Sequence, residues 1–203
     1  MLITDFVPAL HRESKRLMIV LHGLGDSMEG FRFLPHALRL ADMNYLLVNA
    51  PDEYYGGFSW YDFARESRAG VERSRLELDA LLDGQRNAGF PTEATFLFGF
   101  SQGCLMTLET GLRYPHRLAG LIGISGYVLD APILVKELNP MAQNQRILWT
   151  HGTHDPIIPV LKVKAQFQHL ESVGLDFEWK EFNKVHTIAG EEELSVVRTF
   201  IQK

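Results

Sequence analysis

Short apolar runs alternate with longer amphipathic ones along this chain, and that alternation constrains its fold more than any other feature. Residues 17–21, 45–48, 95–100, 118–124, 147–150 and 177–182 read as strands. Several are apolar at consecutive positions, as expected of parallel strands covered on both faces. Between them, residues 31–41, 71–88, 102–114, 160–172 and 191–202 read as helices. In the second of these, Val71, Leu78, Leu81 and Leu82 form a stripe at helical spacing, with Glu and Arg opposite. Gly89 and Pro91 then supply a stop signal. Residues 2–8 suit an edge strand, because Asp5 and Pro8 are better tolerated at an edge than in a sheet centre. The pattern predicts an α/β architecture with a mostly parallel central sheet and helices on both faces.

The chain has 203 residues, 46% hydrophobic, with a formal net charge of −5. That length suits one domain spanning residues 1–203, with a substantial core. Mild acidity with mixed signs argues against nucleic acid as a partner, which would call for a basic stripe. The longest charge-free run, residues 94–108, falls short of the roughly 18 apolar residues of a membrane span. No signal peptide is visible, and the single cysteine excludes an internal disulfide or a cysteine-based zinc cluster. The expectation is a cytoplasmic protein with no integral membrane segment.

Open parallel sheets bind ligands beyond the carboxyl ends of their strands, so the loops there are where chemistry belongs. One of them reads Gly99-Phe100-Ser101-Gln102-Gly103 between an apolar strand and a helix. This G-x-S-x-G spacing places a serine on a strained strand-to-helix turn, and the flanking small residues let neighbouring backbone approach. A serine hydroxyl needs a base to become a nucleophile, and in this arrangement an acid and then a histidine should follow in chain order. Asp155 lies in the loop after the strand at 147–150, and His186 in the loop after 177–182. The other histidine beyond Asp155, His169, falls within a helix. Alone, either residue reads as an ordinary loop side chain; order and position together make Ser101, Asp155 and His186 the candidate catalytic set. The backbone N–H of Gln102 is one candidate oxyanion donor. The other is Leu24, in the early loop His22-Gly23-Leu24-Gly25-Asp26, with His22 as its hydrogen-bonding support. A dinucleotide reading of that loop fails, because the third glycine of G-x-G-x-x-G would fall at Met28.

These motifs, with Trp60-Tyr61-Asp62, Ser125-Gly126-Tyr127 and His151-Gly152 through Asp155-Pro156, resemble the phospholipase/carboxylesterase branch of the α/β-hydrolases, which includes the acyl-protein thioesterases. The resemblance runs from about Arg16 to Ile188. It implies the α/β-hydrolase fold without a large cap domain, a Ser101–His186–Asp155 triad, oxyanion donors at Leu24 and Gln102, and neither metal nor cofactor. It implies a serine esterase acting on a small-molecule or acylated-protein ester or thioester, and it is compatible with a homodimer. Two departures stand out. Cys104 replaces the second of two glycines that often follow the Ser-Gln pair, and Val185 replaces the glycine that usually precedes the histidine.

Other features carry less. Cys104 reads as a packing residue of the helix, and His151 with His154 as turn histidines rather than a metal pair. The aromatic run Tyr54, Tyr55, Phe58, Trp60, Tyr61 is either packing or a pocket wall. Trp60 and Ile157 are the candidate substrate-contacting residues. Residues 126–145 are too few for a helical cap and read as an apolar flap over an open groove. Glu191-Glu192-Glu193 opens a helix, where negative charge is favourable without a partner. A silent binding protein on this fold, or a hydrolase of lactones or amides, stays open.

Overall fold

The computed structural model describes residues 1–63 and 67–203. A seven-stranded sheet forms its centre, in the order β1-β3-β2-β6-β7-β8-β9. The strands are β1 (Thr4–Val7), β2 (Arg16–Leu21), β3 (Met43–Val48), β6 (Thr95–Phe100), β7 (Gly120–Ile124), β8 (Arg146–Gly152) and β9 (Asp176–Phe182). All neighbours pair in parallel except β1, which runs antiparallel along β3 at the edge. A separate hairpin joins β4 (Asp52–Tyr54) to β5 (Gly57–Ser59).

Alternation along the strands divides the core in two. Leu17, Ile19, Leu21, Leu97 and Leu121 face the helices α2 (Ser67–Asn87), α3 (Gln102–Gly111) and α5 (Val160–Glu171) through Leu78, Leu82, Leu105, Leu108, Val163 and Leu170. Met18, Val20, Phe96, Phe98 and Ile122 face α1 (Leu34–Leu38) and α6 (Glu191–Gln202) through Leu34, Leu38, Leu194, Val197 and Phe200. The inner strands β2, β3, β6, β7 and β8 therefore bury both faces, which is why their apolar runs are continuous, whereas the edge strands β1 and β9 stay partly exposed.

The helix expected over 31–41 is shorter. A 3₁₀ turn at Met28–Phe31 precedes α1, and Arg39 ends it in the left-handed region with φ 52°. The strand expected from Leu118 starts at Gly120, because the Leu118 N–H donates to Gln145 Oε1 at 2.9 Å instead of joining the ladder. Residues 126–145 are not a free flap. They form α4 (Ala131–Lys136) and a 3₁₀ turn at Pro140–Asn144, and Val128 and Leu134 are fully buried in the core. Burying those side chains holds the segment down as part of the core, where its composition alone reads as an apolar flap over a groove.

Candidate active site

Two glycines let α3 begin against the sheet. A Cβ on Gly99 would sit 2.0 Å from the Gly103 carbonyl oxygen, and one on Gly103 would sit 2.1 Å from that of Leu21. Between them Ser101 adopts φ 55°, ψ −115°, a region L-residues seldom occupy. Its N–H donates to Ile124 O at 2.9 Å, which ties the turn to β7. Strain at this position lifts the hydroxyl off the sheet edge.

The hydroxyl meets His186. Ser101 Oγ lies 2.9 Å from His186 Nε2, and His186 Nδ1 lies 2.7 Å from Asp155 Oδ2. The other carboxylate oxygen, Asp155 Oδ1, accepts the N–H groups of Ile157 and Ile158, both at 2.9 Å. Burial pushes the Asp155 pKa up, but the Ile158 N–H, His186 and the Ile157 N–H outweigh it and hold the carboxyl below its ordinary value. An ionised carboxylate only accepts hydrogen bonds, so Nδ1 carries the imidazole proton and Nε2 is left to accept from the serine. Phe100 packs on the imidazole with ring centroids 5.0 Å apart.

Gln102 opens α3, so its N–H has no acceptor within the helix. Its side chain is buried and reaches across to the segment after β5. Oε1 accepts the Trp60 N–H at 3.0 Å, and Nε2 donates to Tyr61 O at 3.1 Å. Leu24 sits in a loop pinned on both sides. The Gly25 N–H donates to Phe58 O at 2.9 Å and the Phe58 N–H to Asp26 O at 2.8 Å, so the hairpin braces this loop. His22 braces it from below. Its Nε2 accepts the Ala50 N–H at 3.0 Å, which puts the proton on Nδ1, 2.7 Å from Gly23 O. Burial lowers the His22 pKa and keeps the ring neutral.

Trp60 does not line a pocket. It is fully buried, and its Nε1–H donates to His22 O at 2.9 Å, so its bulk and its one polar atom are both spent on supporting the loop. Ile157, by contrast, is 69% exposed beside Asp155. Val185 is also exposed, whereas Cys104 is fully buried and burial pushes its thiol pKa up.

Three supporting groups escaped the sequence reading. His151 is fully buried. Its Nε2 lies 2.8 Å from Ile158 O and 3.5 Å from Asp155 Oδ2, so it backs the carboxylate. Lys184 points inward and its Nζ donates to Glu193 Oε1 and Oε2 at 2.6 and 2.7 Å. Glu193 therefore has partners after all: the Thr150 hydroxyl and the Ala189 N–H, at 2.7 Å for the latter, complete its set. A lysine between two loop residues carries no periodicity that would reveal its direction. Among the described residues, no group of three or more His, Cys, Asp or Glu is placed to hold a metal, and no helix is long and apolar enough to cross a membrane.

Comparison with known proteins bears on the fold and the family. Acyl-protein thioesterase 1 of Schizosaccharomyces pombe is 34% identical over 166 residues, covering 75% of this chain and 74% of that one. The crystal structure of esterase PE8 superposes with a TM-score of 0.88 at 30% identity, over 99% of this chain and 98% of that one. The structure of SOBER1 from Arabidopsis thaliana gives 0.83 at 27% identity, over 92% and 97%. The family model described as Phospholipase/Carboxylesterase matches residues 4–203. With a match of that extent on a sheet of this order, the chain belongs to the phospholipase/carboxylesterase family of α/β-hydrolases.

Proposed function

We propose that this protein hydrolyses carboxylic esters and thioesters through an acyl-enzyme on Ser101. The carrying observation is the unbroken line of hydrogen bonds from Ser101 Oγ through His186 to Asp155. His186 Nε2 takes the hydroxyl proton as Ser101 attacks the acyl carbonyl. Asp155 holds the imidazole in the tautomer this requires and stabilises the imidazolium that forms. The oxyanion is taken by the backbone N–H groups of Gln102 and Leu24; one such donor is worth roughly 2.7–4 kcal/mol in the transition state. His186 then gives its proton to the leaving oxygen or sulfur, and water repeats the sequence to release the acid. The names of the relatives support an acylated protein or a small ester or thioester as substrate. A cytoplasmic setting accords with a sole cysteine that is a buried free thiol.

Fluorophosphonate labelling of wild type beside Ser101→Ala tests this reading, with hydrolysis of an ester, a thioester and an amide of one acyl group. Wild type should label at Ser101 and cleave ester and thioester ahead of amide. Ser101→Ala should not label and should lose about a millionfold in kcat. An unlabelled wild type would reduce the fold to a binding protein, and a preference for amide would replace the substrate class.

A further inference from the structure

Beside the catalytic groups lies a cavity of roughly 280 Å³ lined by Phe31, Phe33, Phe100, Thr187, Ile188 and Leu194, with Asp26 and two glycines at its rim. Its place relative to the reacting atoms follows from the chain. Phe100 precedes Ser101 and packs on the His186 ring, while Thr187 and Ile188 follow His186 directly. Phe31 and Leu194 are buried and make an apolar floor; Phe33 is 45% exposed and makes a wall open to solvent.

Around the carbon of a tetrahedral intermediate, the directions are not equivalent. The oxyanion turns to the N–H groups of Gln102 and Leu24. The leaving atom must lie toward His186 Nε2, because it receives its proton there. Phe100 packs on that imidazole, and Thr187 and Ile188 continue the chain from it, so the cavity adjoins the ring that must meet the leaving atom. We infer that this cavity is the leaving-group subsite, shaped for an alcohol or thiol that is apolar near the reacting atom and carries no negative charge where it passes Asp26. The inference rests on the acyl-enzyme reading of Ser101 and adds to it what the departing half of the substrate looks like. At this volume the subsite holds a group the size of an amino-acid side chain or a short alkyl chain, below the usual range for whole drug-sized ligands.

Leaving-group contacts act on acylation, so kcat/KM for acetates of different alcohols reads them directly. Two added methylenes, if buried, raise it about tenfold from ethyl to n-butyl acetate. Phe33→Ala removes a wall and Ile188→Trp fills the cavity; both should bring that butyl-to-ethyl ratio toward one. The ratio of ethyl hexanoate to ethyl acetate, which reports the acyl side, should stay at its wild-type value. Phe33→Ala alters an exposed side chain and so remains informative should the tryptophan variant fold poorly. 3-Carboxypropyl acetate should react more slowly than n-butyl acetate, and Asp26→Asn should narrow that gap. Unchanged alcohol ratios in both variants would overturn the subsite, as would a collapse of the acyl ratio instead, which would assign the cavity to the acyl chain. An unchanged gap in Asp26→Asn would overturn the charge selection. Each of these is distinct from failure of the underlying reading, in which Ser101 does not label at all.

Discussion

Lys184 and Glu193 form an ion pair whose side chains are 3% and 0% exposed, with Nζ within 2.7 Å of both carboxylate oxygens. The pair joins the loop that carries His186 to the start of α6, and the Thr150 hydroxyl joins it to β8. Burial pushes the Lys184 pKa down, and the facing carboxylate works against that shift. A pair this deep is weak evidence for stability as such, but each partner makes the other tolerable.

Lys184→Met should therefore lower the unfolding free energy by about 3–5 kcal/mol, because it strands a buried carboxylate. Lys184→Met combined with Glu193→Gln should recover part of that loss. Denaturant titration of the three proteins checks it; equal stability of the two variants would show that the stranded charge is not the cause.

Gln102→Ala keeps the backbone donor but deletes its anchor. The buried Trp60 N–H loses its acceptor, a loss of about 1–3 kcal/mol. The freed turn should also lower kcat/KM, by about ten- to a hundredfold if the donor shifts appreciably. Steady-state kinetics on one ester beside thermal unfolding separates the two effects.

His22 and His151 should make stability fall as the solution is acidified. Burial lowers both pKa values below the ordinary 6.5. As pH drops through 6.5, the unfolded chain takes up protons that the folded chain still refuses. The unfolded state then binds more protons, so stability declines with pH until the lowered folded-state values are passed. Denaturation midpoints from pH 8 to pH 5 should show this slope, and His151→Gln should flatten it.

Cys104 should resist alkylation in the folded protein. Its side chain is fully buried, and a Cβ on Gly126 would lie 2.4 Å from its own, so no reagent fits beside it. Burial also disfavours the thiolate that would react. Iodoacetamide should modify it only under unfolding conditions, at the rate of global opening; fast labelling of native protein would contradict this packing.

The turn at Ser101 is legible in the sequence because its requirements are local: a strand, two glycines and a helix, all within residues 95–111. The hairpin β4–β5 is less legible: its strands are three residues each, and of the two tip residues only Gly56 (φ 88°) is of the expected type, while Tyr55 takes φ 45° where glycine or asparagine is usual. Trp60 misled for a related reason. An aromatic side chain near a site reads the same whether it faces the cavity or the core, and only its bond to His22 decides.

Periodicity and turn chemistry, which depend on neighbours a few residues apart, determined the strands of the central sheet and its longer helices and put Ser101, Asp155 and His186 in loops at one end of the strands. Packing decided the rest. Ser101 and His186 are 85 residues apart in the chain, and His186 and Asp155 are 31 apart, yet each pair is in hydrogen-bond contact. The inward turn of Lys184, the buttress of His151 behind Asp155 and the cavity beside Phe100 arise likewise from surfaces brought together by folding. No local pattern encodes them, because a side chain's direction is set by what it can bury against and pair with, and those partners exist only once the sheet is closed by its helices.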